Sequence, residues 1–174
     1  MKNTKKGFPP IANERATVLI LGTMPGEESL KKKEYYGNPR NTFWKIMARL
    51  FEFEHISIYE ERTRILKNNK IALWDVMQAC ERQGSLDSAI IDSSIAENNF
   101  VSFYNRHQNI RHVFFNGARA EKEYRKRVLP RLSAEAKGIE CSRLPSTSPA
   151  MARLSFDEKL LEWSIIKKKH NKEN

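Results

Sequence analysis

Five short segments of this 174-residue chain carry the residues able to do chemistry. Gly22-Thr23-Met24-Pro25-Gly26 sets two glycines and a proline within one loop. Such a loop lets a ligand approach the backbone, and its N–H groups can hold an anion or a base carbonyl. It lacks the lysine and spacing of a phosphate-binding P-loop, and a tight structural turn is the competing reading. Tyr35-Tyr36-Gly37-Asn38-Pro39-Arg40-Asn41 places aromatics and amides just before an apolar helical pattern. Asn41 suits a functional amide or an N-cap, and the tyrosines suit ligand contact or packing. Asp75 follows Trp74 at the end of an apolar run. A carboxylate there can read a donor edge of a base, tune a proton, or simply cap a turn. Asn116-Gly117 closes a similar run. Leu144-Pro145-Ser146-Thr147-Ser148-Pro149-Ala150 combines hydroxyls with prolines, which suits either a rigid grip on phosphate oxygens or a capping turn. Met151 and Arg153 follow, Met151 as a wedge between bases or as core.

Other chemistries are disfavoured or ruled out. His55, His107, His112 and His170 are scattered, and no nucleophile–base pair is visible. The two cysteines, Cys80 and Cys141, form no CxxC, which rules out a disulfide scaffold and four-cysteine zinc or iron–sulfur sites. No apolar run reaches the roughly 20 residues of a membrane span, and the N-terminus lacks the apolar stretch of a signal peptide. The expectation is a cytoplasmic monomer with no metal, cofactor or membrane. Thirty-one Lys and Arg against 21 Asp and Glu give a net charge of +10. That sign attracts polyanions, although solubility alone would also explain it.

The elements that must position these segments follow from hydropathy patterning. Thr17–Leu21, Ile71–Trp74, His112–Phe115 and Gly138–Leu144 read as strands, the first as an unbroken apolar, β-branched run suited to burial on both faces. Helical spacing covers Asn41–Phe51, Ile58–Leu66, Ile95–His107 and the amphipathic Phe156–Lys168. Ala118–Leu132 reads as a very basic helix interrupted by Pro130. Strands separated by helices demand right-handed crossovers. The fold class expected is therefore α/β: one three-layer α/β/α domain over residues 8–166 with a central four-stranded parallel sheet. Residues 1–7 and 167–174 are expected to be basic, flexible ends. In such sheets ligands bind outside the carboxyl ends of the strands, where four of the five segments fall.

Taken together, GTMPG after the first strand, YYGNPRNTFWKI before the next helix, IALWDV in the second strand, FNG after the third and LPSTSPA after the fourth resemble the uracil-DNA glycosylase superfamily. Within it they look like the hypoxanthine-DNA (deoxyinosine) glycosylase branch, known as family 6. The resemblance spans Phe8 to Trp163. It implies a repair enzyme that acts on DNA containing a deaminated base. The base is flipped out and its N-glycosidic bond hydrolysed, without metal or cofactor. Hypoxanthine is the first reading. A uracil or mismatch glycosylase and a catalytically silent DNA-binding relative are the alternatives. The silent reading is motivated by Met24, which stands where other branches carry Asp or Asn, and by Leu144, which replaces a histidine. The resemblance therefore assigns water positioning to Asn41, with Asn38 second. Base binding falls to Gly22, Thr23, Met24, Pro25, Gly26, Tyr36, Phe43, Trp74, Asp75 and Asn116, with Phe43 or Trp74 stacking on the base. DNA contact falls to Ser146, Thr147, Ser148, Pro149, Met151 and Arg153.

Overall fold

A computed structural model describes residues 4–54 and 58–172, with side chains to 170; Lys2 and His55 lie outside the described residues. The chain runs β1 (Thr4–Lys6), β2 (Val18–Gly22), α1 (Glu27–Lys32), α2 (Phe43–Phe51), α3 (Tyr59–Asn68), β3 (Ile71–Asp75), β4 (Met77–Glu81), β5 (Ala96–Glu97), α4 (Phe100–Arg106), β6 (His112–Asn116) and α5 (Ala118–Glu123). It continues through α6 (Ala134–Lys137), β7 (Glu140–Leu144), α7 (Phe156–Trp163) and α8 (Ile165–Lys172).

The main sheet has four strands in the order β3-β2-β6-β7, all parallel. Every residue of β2, β3 and β6 is buried, as strands covered on both faces must be. The expected three-layer α/β/α fold is the fold observed. Trp74 packs against Phe100 and Phe103 of α4, while Phe43 of α2 meets Trp163 of α7 edge-to-face at 5.9 Å.

The structure departs from the sequence patterning at five places. β1 lies within the N-terminal stretch expected to be flexible: Lys5 pairs with Cys80 across an antiparallel ladder. β1, β4 and β5 form a second sheet, a ribbon that the sequence patterning did not show. Ile95–His107 is not one helix, because Ala96–Glu97 pair with β4 and α4 begins only after Asn99, whose side chain accepts from Ser102 N. Ala118–Leu132 breaks into α5, a π-turn at Tyr124–Val128 and a 3₁₀ turn at Leu129–Arg131, where Pro130 removes a backbone donor. The C-terminal residues expected to be flexible continue as α8 to Lys172. Among the described residues, no helix is long and apolar enough to cross a membrane.

Candidate active site

A cleft of about 760 Å³ opens at the carboxyl ends of the four parallel strands. One bank comes from the main-sheet loops: Gly22–Gly26, Tyr36, Asn38, Arg40, Asn41, Asp75, Asn116 and Ser146–Met151 line it. The other bank comes from the ribbon, through Ser85, Leu86 and Asp87.

The floor is Asp75, only 3% exposed. Gly22 pairs with it across β2 and β3. A Cβ on Gly22 would lie 2.3 Å from Asp75 Oδ1 and 3.0 Å from the Tyr36 hydroxyl, so glycine is required for this close approach and not for a turn. Asp75 Oδ2 is buried with no hydrogen-bond partner. Burial pushes the Asp75 carboxyl from its ordinary 3.8 up to about 8; the Asp87 charge adds to the rise and Arg82 opposes it. At neutral pH Asp75 is therefore mainly a neutral acid, with a proton to donate and an oxygen to accept.

Tyr36 stands beside it in a left-handed conformation, φ 54°. Its ring stacks on Phe43, centroids 4.0 Å apart, and its hydroxyl accepts from Asn116 Nδ2 at 2.9 Å. Burial, reinforced by the Asp75 charge, raises its phenol well above the ordinary value. Asn116 is fully engaged: Nδ2 also donates to Thr147 Oγ1, and Oδ1 accepts from Thr147 N, both at 2.9 Å. It ties the end of β6 to the last loop and to Tyr36. The Tyr35–Asn41 loop is pinned in turn, since Gly37 N donates to Ser29 Oγ and Trp44 Nε1 donates to the Tyr35 carbonyl.

Asn41 lines the cleft, and its Oδ1 accepts from Phe43 N at 3.0 Å. It holds the start of α2, although Thr42 is the boundary residue. Among the described residues its amide NH₂ has no recorded partner. Asn38 does the same one turn earlier, accepting from Arg40 N at 2.9 Å.

The last loop is an ST-turn as well as a cleft wall. Ser148 N donates to Ser146 Oγ and Ala150 N to Ser148 Oγ, each at 3.2 Å. The hydroxyl protons of both serines remain available to acceptors. Thr42 N donates to the Thr147 carbonyl and Trp163 Nε1 to the Pro145 carbonyl, which anchors the loop on both sides. Met151 is 37% exposed at the rim. Leu144 is buried. Arg153 is exposed beyond the cleft lining.

Two expected stacking residues lie elsewhere. Trp74 points to the opposite face of β3 from Asp75, as strand alternation requires, and its Nε1 donates to the Phe8 carbonyl. Phe43 is fully buried behind Tyr36. The aromatic residues that line the cleft are Tyr35 and Tyr36. Ser85, Leu86 and Asp87 escaped sequence reading because they come from a turn with no recognisable motif; Gly84, φ 69°, was its one signal. Asp87 Oδ2 accepts from Thr23 Oγ1 at 2.8 Å, and Ser85 Oγ accepts from Glu27 N at 2.9 Å, so the ribbon clamps the first loop. Beneath it the buried Arg82 donates to the Pro25 carbonyl.

The basic segment after Gly117 is largely paired. Arg119 and Arg127 meet Glu123, Arg125 meets Glu121, and Arg131 meets Glu97. Among the described residues no group of three or more His, Cys, Asp or Glu could hold a metal ion.

The family model of the uracil DNA glycosylase superfamily matches residues 9–166. A hypoxanthine DNA glycosylase of Methanosarcina acetivorans is 39% identical over 163 residues, covering 93% of this chain and 97% of that protein. One from Methanosarcina barkeri is 41% identical over 117 residues, covering 67% of this chain and 73% of that protein. The solution structure of a candidate uracil DNA glycosylase from Methanosarcina acetivorans superposes with a TM-score of 0.80 at 36% identity, covering 97% of this chain and 99% of that one.

Proposed function

This chain belongs to the uracil DNA glycosylase superfamily, and from that membership and its cleft we propose that it is a DNA repair glycosylase that releases hypoxanthine from deoxyinosine. The observation that carries the reading is the buried, unpartnered Oδ2 of Asp75 at the floor of a cleft whose wall holds Asn41. A buried polar atom without a partner calls for a ligand. The named activity of the Methanosarcina relatives supports hypoxanthine as that ligand.

The chemistry follows from the wall. A flipped base enters edge-first toward Asp75, beside the Tyr36 ring. Neutral Asp75 offers O–H to a carbonyl oxygen and C=O to the adjacent N–H. Hypoxanthine presents that pair at O6 and N1–H, and uracil at O4 and N3–H. Asp75 therefore recognises a lactam edge that deamination creates, and other parts of the cleft choose among such bases. Breaking the C1′–N9 bond sends its electron pair to the purine and leaves positive charge on the sugar. Hydrogen bonds to the base edge stabilise that anion as it forms. Asn41 holds the water that adds to C1′. The proton that water loses balances the one the departing purine gains. An amide is a poor base, so the rate comes from positioning and leaving-group stabilisation.

The last loop grips the DNA backbone through Ser146 and Ser148 and through N–H groups of its turn, and Met151 fills the space that the flipped nucleotide leaves. The protein acts as a monomer.

The test incubates the purified full-length protein with duplexes carrying one hypoxanthine, uracil or xanthine, followed by alkali. Strand cleavage fastest at hypoxanthine is expected. No break at any enzyme excess would leave a silent DNA-binding protein, and faster release of uracil would move the substrate assignment.

A further inference from the structure

The superfamily's first loop carries Met24 here, so the loop itself supplies no charged side chain to the reacting sugar. The structure brings a carboxyl group beside that loop from another part of the chain. Asp87 lies on the ribbon, far from the first loop in sequence, yet lines the same cleft. Its Oδ2 accepts from Thr23 Oγ1 at 2.8 Å, one residue from Met24. Its side chain is 43% exposed, and the wholly buried Arg82 guanidinium stands 4.0 Å from Oδ1.

The two cleft carboxyls differ in ways that decide which one ionises. Asp75 is buried with an orphan oxygen. Asp87 has a hydroxyl donor, a cation behind it and water access. Burial raises the Asp87 carboxyl, and the Thr23 hydrogen bond, Arg82 and Arg119 oppose that rise. The groups felt electrostatically around Asp75 are Asp87 and Arg82, and Asp75 in turn bears on Tyr35, Tyr36 and Tyr59. Like charges in one cleft do not both ionise readily, so a charged Asp87 adds to the burial that already holds Asp75 neutral.

Resting on the glycosylase reading above, we propose that Asp87 replaces the missing first-loop acid, as the fixed negative charge that stabilises the positive sugar while the base departs. Asp87 takes no proton in this step. The bond that breaks is C1′–N9, its electrons leave with the purine, and the carboxylate lowers the energy of the cation left behind. Thr23 aims it and Arg82 holds it. A half-buried acid on this rim adds nothing to phosphate affinity, and its ties to Thr23 and Arg82 fix it beside the first loop.

The isosteric Asp87→Asn variant keeps an oxygen for Thr23 and removes only the charge. Single-turnover release of hypoxanthine, with enzyme in excess at saturation, is expected to fall at least 10-fold. Affinity for a duplex carrying an uncleavable abasic analogue should stay the same or rise. The high-pH fall in rate should move to lower pH, because Asp75 loses the neighbouring charge that raises it. Thr23→Val, which removes the hydrogen bond but keeps the acid, should cost less. A folded Asp87→Asn protein with the wild-type rate and pH profile overturns the proposal while leaving the glycosylase reading intact. An equal loss in both variants with an unmoved pH profile shows a loop clamp and also overturns it. Wild-type protein that releases no base overturns both.

Discussion

The two banks of the cleft are built on different physical terms. The main-sheet bank grows from the ends of buried parallel strands, and its loops are locked by polar contacts among themselves: Asn116 to Tyr36 and Thr147, Thr147 to Thr42, Gly37 to Ser29. The ribbon bank is a short antiparallel excursion with a small apolar cluster, Met77, Cys80, Ile90 and Ile95, which Met24 of the first loop joins. It reaches the cleft through three residues, one of which, Leu86, is 58% exposed. In the proposed reading the first bank holds the base edge and the water and the second sets charge; the contacts of the second bank clamp the first loop. A site split this way can lose an acid from one loop and regain it from another without changing the sheet.

The largest effect should fall on the main-sheet bank. Asn41→Ala should lower the single-turnover rate by roughly 10²-fold, about 2.7 kcal/mol of transition-state stabilisation, with DNA affinity little changed. The same change frees Phe43 N and should cost about 1 kcal/mol of folding stability. Asn41→Asp restores the cap, so it separates the two effects. Asn38→Ala is the matched control, because it loses an equivalent turn contact; a rate loss there equal to that of Asn41 would reassign the water.

Gly22→Ala comes next. Its Cβ would sit 2.3 Å from Asp75 Oδ1, so β2 and β3 must separate or the carboxyl must turn. Overpacking of this kind costs about 1–3 kcal/mol, seen as a lower thermal midpoint together with lost activity. Gly26→Ala is the contrast, since its Cβ would meet Ser85 at 3.4 Å, an ordinary contact. Its stability should hold.

Asp75 gives a pH test that couples the banks. Its folded pKa, about 8, lies above its ordinary 3.8. The unfolded chain therefore binds fewer protons between these values. Stability from this group is full below about pH 4 and falls as pH rises through about 8. Excision should fall over the upper part of the same window, as the donor to the base carbonyl is lost. Asp75→Asn keeps a donor and an acceptor and should flatten both profiles. A rate that climbs through pH 8 would show that the carboxylate form does the work.

The smallest effect belongs to the last loop. Ser146→Ala removes a phosphate donor and the acceptor for Ser148 N, and should weaken binding several-fold for damaged and undamaged duplexes alike. Unchanged affinity would leave Ser146 as a turn residue only. The acid pairing of Arg119, Arg125, Arg127 and Arg131 points the same way, toward a salt dependence shallower than the net charge of +10 suggests.

What the sequence determined by itself was the scaffold and one bank. Continuous apolar, β-branched runs have to be buried on both faces, and helical crossovers between them leave only a parallel sheet, so the loops at the strand ends are where the sequence alone puts the site. Strand alternation also encodes that Trp74 and Asp75 point to opposite faces of β3. Tertiary structure alone decided the rest. The ribbon depends on pairing Thr4–Lys6 with Met77–Glu81, a contact of long sequence separation that no local period encodes. Asp87 enters the cleft only because that ribbon folds over the first loop. The protonation of Asp75 is a property of its burial and of the charge opposite, and neither exists until the two banks meet.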